Sequence, residues 1–571
     1  MSSAENQTRR RLIGRWMANA LGVFLALFVL NSALTFQNRW PTIGVRWVPE
    51  LSVELAVLLL ALVLVAAWRG PLAHGWRNAV LGLFVVLTLG RYLDVTAPAL
   101  MGRSINLYWD SPHIPAVAAL FLDRVAGWRV LLGGVALLAL LAALFAVLRW
   151  ALGTVMTVLD RAPVRRALGI LSLVLLTLYG AGRLSPPLPT KVAFALPVTA
   201  MLAEQVQMVL AATVWRNDGW IAAQPPLPVS DLGRLGRGDV FVIFFESQGA
   251  LVFDDPRFAT PLAGDFAALE RSLADAGWRA ASARVESSTF GGLSWLAHSS
   301  LLSGLRIADQ GGYRDLLTSS RPTLVSRFAA AGYRCVALMP GLRHPWPEGR
   351  FYGFDRILDA GSLEYRGPAY GGWVIPDQYS LYRLHQVEVA PADRPPLFVF
   401  FPTINSHAPF APIPPYEPDW SRFDATPVAP VASGGVELNE RVDGAALAAT
   451  YIQSVRYNLA VLGGYLRQHA PANALLLVLG DHQPPAIVGG REISWQVPVQ
   501  VFSRDPDLIG AFQAAGFRAG VTPGPAALGG IESLGPLLLR VLDSRPSTPL
   551  TAARVESSPG ADGGPARRYP P

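Results

Sequence analysis

Leu475-Leu-Leu-Val-Leu-Gly-Asp-His-Gln-Pro-Pro485 is the stretch that decides the fold class: an apolar run stops at Gly480 and releases an acid and an imidazole together. An uncharged run of this length, bounded by glycine and proline, reads as a strand buried on both faces, as in the parallel sheets of α/β proteins. Asp481 and His482 then stand just past its carboxyl end, where open α/β sheets place their ligands. A carboxylate oxygen beside an imidazole nitrogen can bind one divalent cation if other strands supply further donors.

Working outward, similar runs at 240–245, 335–339, 397–401 and 497–502 alternate with helical patterns at 266–276, 324–331 and 445–469, the rhythm of an α/β domain. Two of these runs also end in polar residues: 240–245 leads into Glu246-Ser-Gln, and 397–401 into Thr403-Ile-Asn-Ser-His407. Strand ends of a parallel sheet share one edge, so Glu246, Asp481 and His482 are candidate ligands of a single cation, with His407 nearby. Taken singly, each residue is better explained as a helix cap or a loop hydrogen-bonder; their coincidence at three strand ends reverses that balance. Metal-assisted phosphoryl or sulfuryl chemistry also needs a nucleophile. Ser294 in Phe290-Gly-Gly-Leu-Ser294 falls at a turn into a helix, where free N–H groups favour a phosphoryl group and a metal favours the alkoxide. The plain alternative is an ordinary N-cap serine, and Thr289 is a local rival.

Composition sets the remainder of the chain apart. Its 571 residues exceed one core, and 51% hydrophobic against 16% charged residues is richer in apolar groups than a soluble protein needs. Apolar runs at 16–34, 53–68, 76–93, 130–148 and 167–181 predict five membrane spans. The first follows Arg9, Arg10, Arg11 and Arg15 without a convincing cleavage site and reads as a retained anchor. Ten arginines on one set of span ends against six on the other predict a cytoplasmic N-terminus and place everything after Arg183 outside the cytoplasm. Segment 192–215 carries Pro197, Glu204, Gln205 and Gln207 and is read as a helix lying at the interface, as is 105–125. Arg91 and Asp94 read as a head-group element or as a snorkelling pair, and His344 and His469 as surface histidines. The net charge of +7 is carried by arginine, Lys191 being the one lysine, with no basic run that would fit nucleic acid. A single cysteine, Cys335, excludes an intrachain disulfide.

Taken together, Glu246, the Gly291-Gly292-Leu293-Ser294 turn before Leu301-Leu302-Ser303-Gly304, Asn405-Ser406-His407-Ala408-Pro409-Phe410 and Gly480-Asp481-His482-Gln483-Pro484 resemble the alkaline-phosphatase/sulfatase-like superfamily, in particular its lipoteichoic acid synthase and phosphoglycerol transferase branch. The resemblance implies that Glu246, Ser294, Asp481 and His482 bind one divalent ion, manganese by preference with magnesium or zinc as alternatives. It also makes Ser294 the nucleophile. His407 resembles the family's substrate-contacting histidine, and Trp346 and Arg350 fall in a region resembling the one that contacts glycerophosphate, with Arg343 an alternative. The chain departs from the branch in using serine for its usual threonine, and in having His298 where an acidic residue stands four positions later. Leu296 and His298 replace the proline and arginine that sulfatases need to mature their nucleophile, which argues against sulfate ester hydrolysis.

The expected organisation is a five-span α-helical membrane domain over 1–185, an interfacial helix and Pro-rich linker over 186–234, an extracytoplasmic α/β alkaline-phosphatase-like domain with a mainly parallel central sheet over 235–543, and a disordered tail over 544–571. The expected function is a multi-pass enzyme of the cell inner (plasma) membrane that moves a phosphoglycerol-type group from a phospholipid to an envelope glycan or lipid, with no nucleic-acid partner. Phosphodiesterase, phosphatase or phosphoethanolamine transferase activity are alternatives, as is a non-catalytic binding or sensory role.

Overall fold

The computed structural model describes residues 3–40, 42–70, 74–101, 104–111, 114, 127–184, 193–213, 219–343, 346–370, 375–408, 410–424, 444–490 and 494–545. Its first part is helical: α1 Ser3–Thr35, α2 Val53–Arg69, α3 His74–Met101, α4 Gly127–Val158, α5 Ala162–Leu184 and α6 Val198–Thr213. All five segments expected to span are helices. Among the described residues three are long and apolar enough to cross a membrane: Gly75–Met101, Gly127–Val158 and Ala162–Gly182. The 17 residues of α2 and the apolar part of α1, Asn19–Thr35, fall short on length. The outer face of α4 exposes Leu131, Leu132, Leu137, Leu138 and Leu140, an apolar strip that suits hydrocarbon and not water.

Two buried polar residues of this half, Arg91 and Gln205, have specific partners. Arg91 does not snorkel. It is fully buried and donates to the Phe36 and Leu196 carbonyls at 2.9 and 3.2 Å, tying the end of α1 and the approach to α6 onto α3, with Asp94 at 3.5 Å. Gln205 of α6, read as costly in hydrocarbon, is satisfied by the backbone of Ile105 and Leu107. Of the expected interfacial stretch 105–125, residues 107–110 form a short helix, while 112–113 and 115–126 lie outside the described residues.

The second part is built on a nine-stranded sheet: β1 Val240–Phe245, β2 Arg279–Glu286, β3 Arg334–Met339, β4 Arg356–Asp359, β5 Leu397–Pro402, β6 Leu475–Gly480, β7 Gln496–Ser503, β8 Arg518–Ala519 and β9 Ala527–Gly530. The order is β8-β2-β7-β6-β1-β5-β3-β4, with β9 beside β2. Strands β6, β1, β5, β3 and β4 are mutually parallel, and β7 runs antiparallel to both β6 and β2. All five runs read as strands are strands. Sequence reading missed β2, whose Arg-Ala-Ala-Ser-Ala-Arg-Val-Glu content favours helix; pairing with β7 overrides that preference.

Helices cover both faces of the sheet: α7 Pro256–Asp275, α8 Ser294–Ser303, α9 Leu324–Ala330, α10 Asp377–Leu384, α11 Gly444–Gln468 and α12 Leu534–Leu542. Alternate residues of β1 serve the two layers. Phe241, Ile243 and Phe245 pack with Phe258, Leu262 and Leu466, whereas Val240, Val242 and Phe244 pack with Leu301, Phe328 and Leu538. Each such side chain, fully buried, stabilises by roughly 1.5–3 kcal/mol. The central β1 is thereby clamped from both sides, and its carboxyl end becomes a rigid platform.

Two further expectations are modified. The Pro-rich stretch 224–230 is not a detached linker, because Leu227 is buried and Arg327 and Arg321 donate to the Leu227 and Gln224 carbonyls at 2.6 and 3.2 Å. At the other end of the domain, Ser544 is bonded to Asp231, and 546–571 lie outside the described residues, as does His344. His469 is half-buried rather than free on the surface, against Trp420 and His385, ring centroids 4.7 and 5.0 Å away.

Candidate active site

The ladder places Phe245 opposite Gly480 and Phe244 opposite Pro402. Glu246 and Asp481 therefore leave neighbouring parallel strands at one level, with Thr403 one residue back on the third. Thr403 Oγ1 accepts the Glu246 N–H at 3.1 Å, and Ser406 Oγ donates to the Glu246 carbonyl at 2.6 Å. The turn after Glu246 needs Ser247 at φ 59°, a left-handed conformation costing about 1–2 kcal/mol for a residue with a Cβ. That turn aims the Ser247 N–H at Asp481 Oδ1, 2.8 Å away, and the Ser247 hydroxyl at Glu246 Oε1, 3.1 Å away.

Glu246, Asp481 and His482 are buried, and one donor atom from each lies within 4.8 Å of the other two. His482 Nδ1 sits 2.7 Å from the Gln483 carbonyl, which fixes the proton there and leaves Nε2 turned to the carboxylates, 3.4 Å from Glu246 Oε1 and 3.6 Å from Asp481 Oδ2. Asp481 Oδ1 accepts two backbone N–H groups, while Oδ2, although buried, has no hydrogen-bond partner. A carboxylate oxygen without a hydrogen bond, facing an imidazole nitrogen and a second carboxylate, makes a donor set that could hold a divalent cation, with Gln483 orienting the imidazole. The residues fit the group.

Ser294 completes the cluster. Its Oγ donates to Glu246 Oε2 at 2.9 Å and lies 3.1 Å from His482 Nε2. It is the first residue of α8, preceded by Gly291, Gly292 and Leu293 at φ 64°, 145° and 62°, so the turn before Ser294 carries at Leu293 strain of the kind that gathers at functional sites. Thr289 is not a rival, since its hydroxyl is spent on the Gly292 carbonyl at 2.6 Å.

The electrostatics follow from the crowding. Burial pushes the Glu246 carboxyl up, but the His482 hydrogen bond and charge, with His407, outweigh it and hold it well below the usual range. Burial and then the Glu246 charge push Asp481 far above it. Burial opposes a charge on His482, yet Asp481 and Glu246 carry it up to about 9. His298, one turn beyond Ser294, packs on Phe244 and Phe400 at 4.4 and 5.5 Å; burial pushes it down to about 3, so it stays a neutral ring.

Of the residues expected to hold substrate, His407 is half-buried on the loop that follows β5, with Nδ1 2.7 Å from the Ala408 carbonyl. Trp346 and Arg350 are not brought into the cluster. Trp346 stacks on Tyr352, whose hydroxyl pairs with Ser299 of α8 at 2.8 Å, and Arg350 and Arg343 are exposed. Sequence reading missed Asp377, which is fully buried at the start of α10. It accepts the Ile404 and Asn405 N–H groups at 2.9 and 2.8 Å, while Asn458 Nδ2 bonds Ser406 at 2.9 Å. A lone acid in a loop gives no periodic signal.

Residues 239–501 match the family model described as Sulfatase. This part of the chain is a sulfatase-like domain. The match begins at the residue before β1 and ends within β7, so the matched segment contains all four residues of the cluster. Similar solved structures include the lipoteichoic acid synthase LtaP from Listeria monocytogenes (12% identity, 57% of this chain and 77% of that chain covered, TM-score 0.36), the phosphoglycerol transferase GacH from Streptococcus pyogenes with sn-glycerol-1-phosphate (13%, 55% and 79%, 0.32), and the periplasmic domain of EcEptC from Escherichia coli (12%, 54% and 83%, 0.36). No curated protein matches the chain.

Proposed function

We propose that this protein is a multi-pass membrane enzyme, its sulfatase-like domain outside the cytoplasm, that transfers a phosphoglycerol-type group from a phospholipid to an envelope glycan or lipid through a covalent Ser294 intermediate. The observation that carries the reading is the position of Ser294 Oγ between Glu246 and His482, beside the unpartnered Asp481 Oδ2. A hydroxyl placed there serves as ligand and nucleophile together.

Glu246, Ser294, Asp481 and His482 would hold one divalent ion, manganese by preference. Bound there, it would lower the cost of the serine alkoxide and of charge growing on the phosphoryl oxygens. Ser294 Oγ, its proton lost to solvent, attacks phosphorus; the Oγ–P bond forms as the bond from phosphorus to the diacylglycerol oxygen breaks, and that oxygen takes up a proton. An acceptor hydroxyl then attacks the same phosphorus, gives up its proton and frees Ser294. His407, with Nδ1 facing a carbonyl, presents Nε2 to the phosphate, and Arg350 is assigned to phosphate oxygens, which guanidinium binds in pairs. The apolar helices keep the site close to a lipid donor, which raises its effective concentration.

The test is mass spectrometry of the purified chain with manganese and phosphatidylglycerol. A phosphoglycerol adduct on the peptide holding Ser294, released diacylglycerol, and loss of both in Ser294→Ala are the expected results. Diacylglycerol release without an adduct would overturn the covalent route. Metal binding with neither product would overturn the donor assignment, and preserved cellular function in Ser294→Ala would overturn catalysis altogether.

A further inference from the structure

The turn that carries Ser294 and the loop that carries Asp481 and His482 are joined at Gly291, whose N–H donates to the Gln483 carbonyl at 3.2 Å. Gly291 has no room for a side chain: a Cβ there would stand 3.5 Å from Pro485 Cα and would collide with the Met101 carbonyl oxygen. Met101 is the last residue of α3, and α3 also packs on the short helix Ala486–Gly489 that follows His482. One end of a helix long and apolar enough to span the membrane thus closes over the seam between the two reactive loops.

The chain leaving Met101 is then pinned. Gln205 of α6 accepts the Leu107 N–H and donates to the Ile105 carbonyl, both at 2.8 Å, and Asn106 caps the helix Leu107–Asp110 by accepting the Trp109 N–H at 3.0 Å. The helix sets the Trp109 indole on the sulfatase-like domain, 3.4 Å from where a Gly311 Cβ would stand and with the Arg314 guanidinium 5.3 Å from its ring centre. Next to Gly311, Gln310 accepts the Trp295 indole N–H at 3.0 Å, and Trp295 adjoins Ser294. An unbroken line of contacts runs from α6 through Trp109 to the nucleophile turn.

We propose that Met101 and residues 104–111, pinned by Gln205 and seated through Trp109, form a strap by which the membrane half holds the Ser294 turn in its reactive position. Turnover then depends on the strap even for a phosphodiester without lipid chains. The inference rests on the reading of Ser294 as nucleophile. Trp109 and Gln205 are positioning residues that act through the turn.

The test uses the full chain in detergent with manganese and the water-soluble donor bis(p-nitrophenyl) phosphate. Trp109→Ala is expected to lower kcat about tenfold with KM within about twofold, since small displacements of reacting groups cost up to about 100-fold. Trp109→Phe, which keeps a ring under Arg314, is expected to recover most of it, and Gln205→Ala to behave as Trp109→Ala. Amide hydrogen exchange of 289–297 in Trp109→Ala is expected to quicken about tenfold. An unchanged kcat on the soluble donor overturns the proposal, even if lipid turnover falls, and so does unchanged exchange. Should Trp109→Ala fail to fold, Arg314→Gln breaks the same contact from an exposed position and must show the same pattern. If the wild-type chain cleaves no phosphodiester, the proposed reaction fails by itself, and the exchange measurement alone decides the strap.

Discussion

Glu246 and Asp481 leave adjacent parallel strands at the same level, because Phe245 faces Gly480 in the ladder between β1 and β6. Two buried carboxylates so placed repel, and one oxygen, Asp481 Oδ2, has no hydrogen-bond partner to offset its burial. A divalent cation relieves both costs and stabilises the fold by mass action, about 2.7 kcal/mol at 100 times its dissociation constant. Manganese should therefore raise the melting temperature of the detergent-solubilised protein by several degrees and a chelator should reverse the shift. In Asp481→Asn the shift should vanish.

Ser294→Thr keeps the hydroxyl that faces Glu246 and His482 and adds a methyl at a partly exposed position. Its activity should stay within about tenfold of wild type, whereas Ser294→Ala should lose at least about 1,000-fold for want of a nucleophile. Single-turnover release of p-nitrophenol from a soluble phosphodiester measures both. Equal losses in the two variants would mean that the hydroxyl is not the reacting group.

The strands that carry Glu246, His407 and Asp481 were legible because strands covered on both faces are unbroken apolar runs, and the polar residue that ends each run marks the sheet edge. The same logic fails for β2, where alanine and arginine occupy a strand held by its neighbours. It is silent on Trp346 and Arg350, whose place depends on how a loop folds after β3 and not on any periodicity. Pairwise geometry is likewise invisible in sequence. Nothing in the spacing of Gly291 and Met101, or of Gln205 and Leu107, shows that each pair meets.

Asp239, the residue before β1, is almost fully buried and accepts from both terminal guanidinium nitrogens of Arg394, at 2.8 and 2.6 Å, together with the Leu397 N–H at 2.8 Å. Removing one partner of such a pair leaves a buried charge and costs about 3–5 kcal/mol. Arg394→Ala should accordingly lower the melting temperature strongly without changing metal affinity, because the pair sits at the opposite end of β1 from Glu246. Calorimetry with and without manganese checks both halves of the statement.

Asp377 governs the loop of His407 through the Ile404 and Asn405 N–H groups, and burial pushes its carboxyl up to about 7 against the pull of those backbone bonds, with the Glu246 charge adding to the rise. Between the ordinary carboxylate range and that value, the folded chain holds a proton that the unfolded chain has released. Its contribution is therefore complete at low pH and lost as pH rises through about 7, at up to about 1.4 kcal/mol per pH unit. Asp377→Asn cannot ionise. The stability difference between wild type and this variant should thus move against the wild type from pH 4 to pH 7 and level off above. Melting temperatures of the two metal-saturated proteins across that range measure it, and parallel curves would show that Asp377 is ionised throughout. Because the same carboxyl holds the loop, its ionisation should reach the reaction as well: the wild-type profile of kcat should carry a term near pH 7 that is missing in Asp377→Asn.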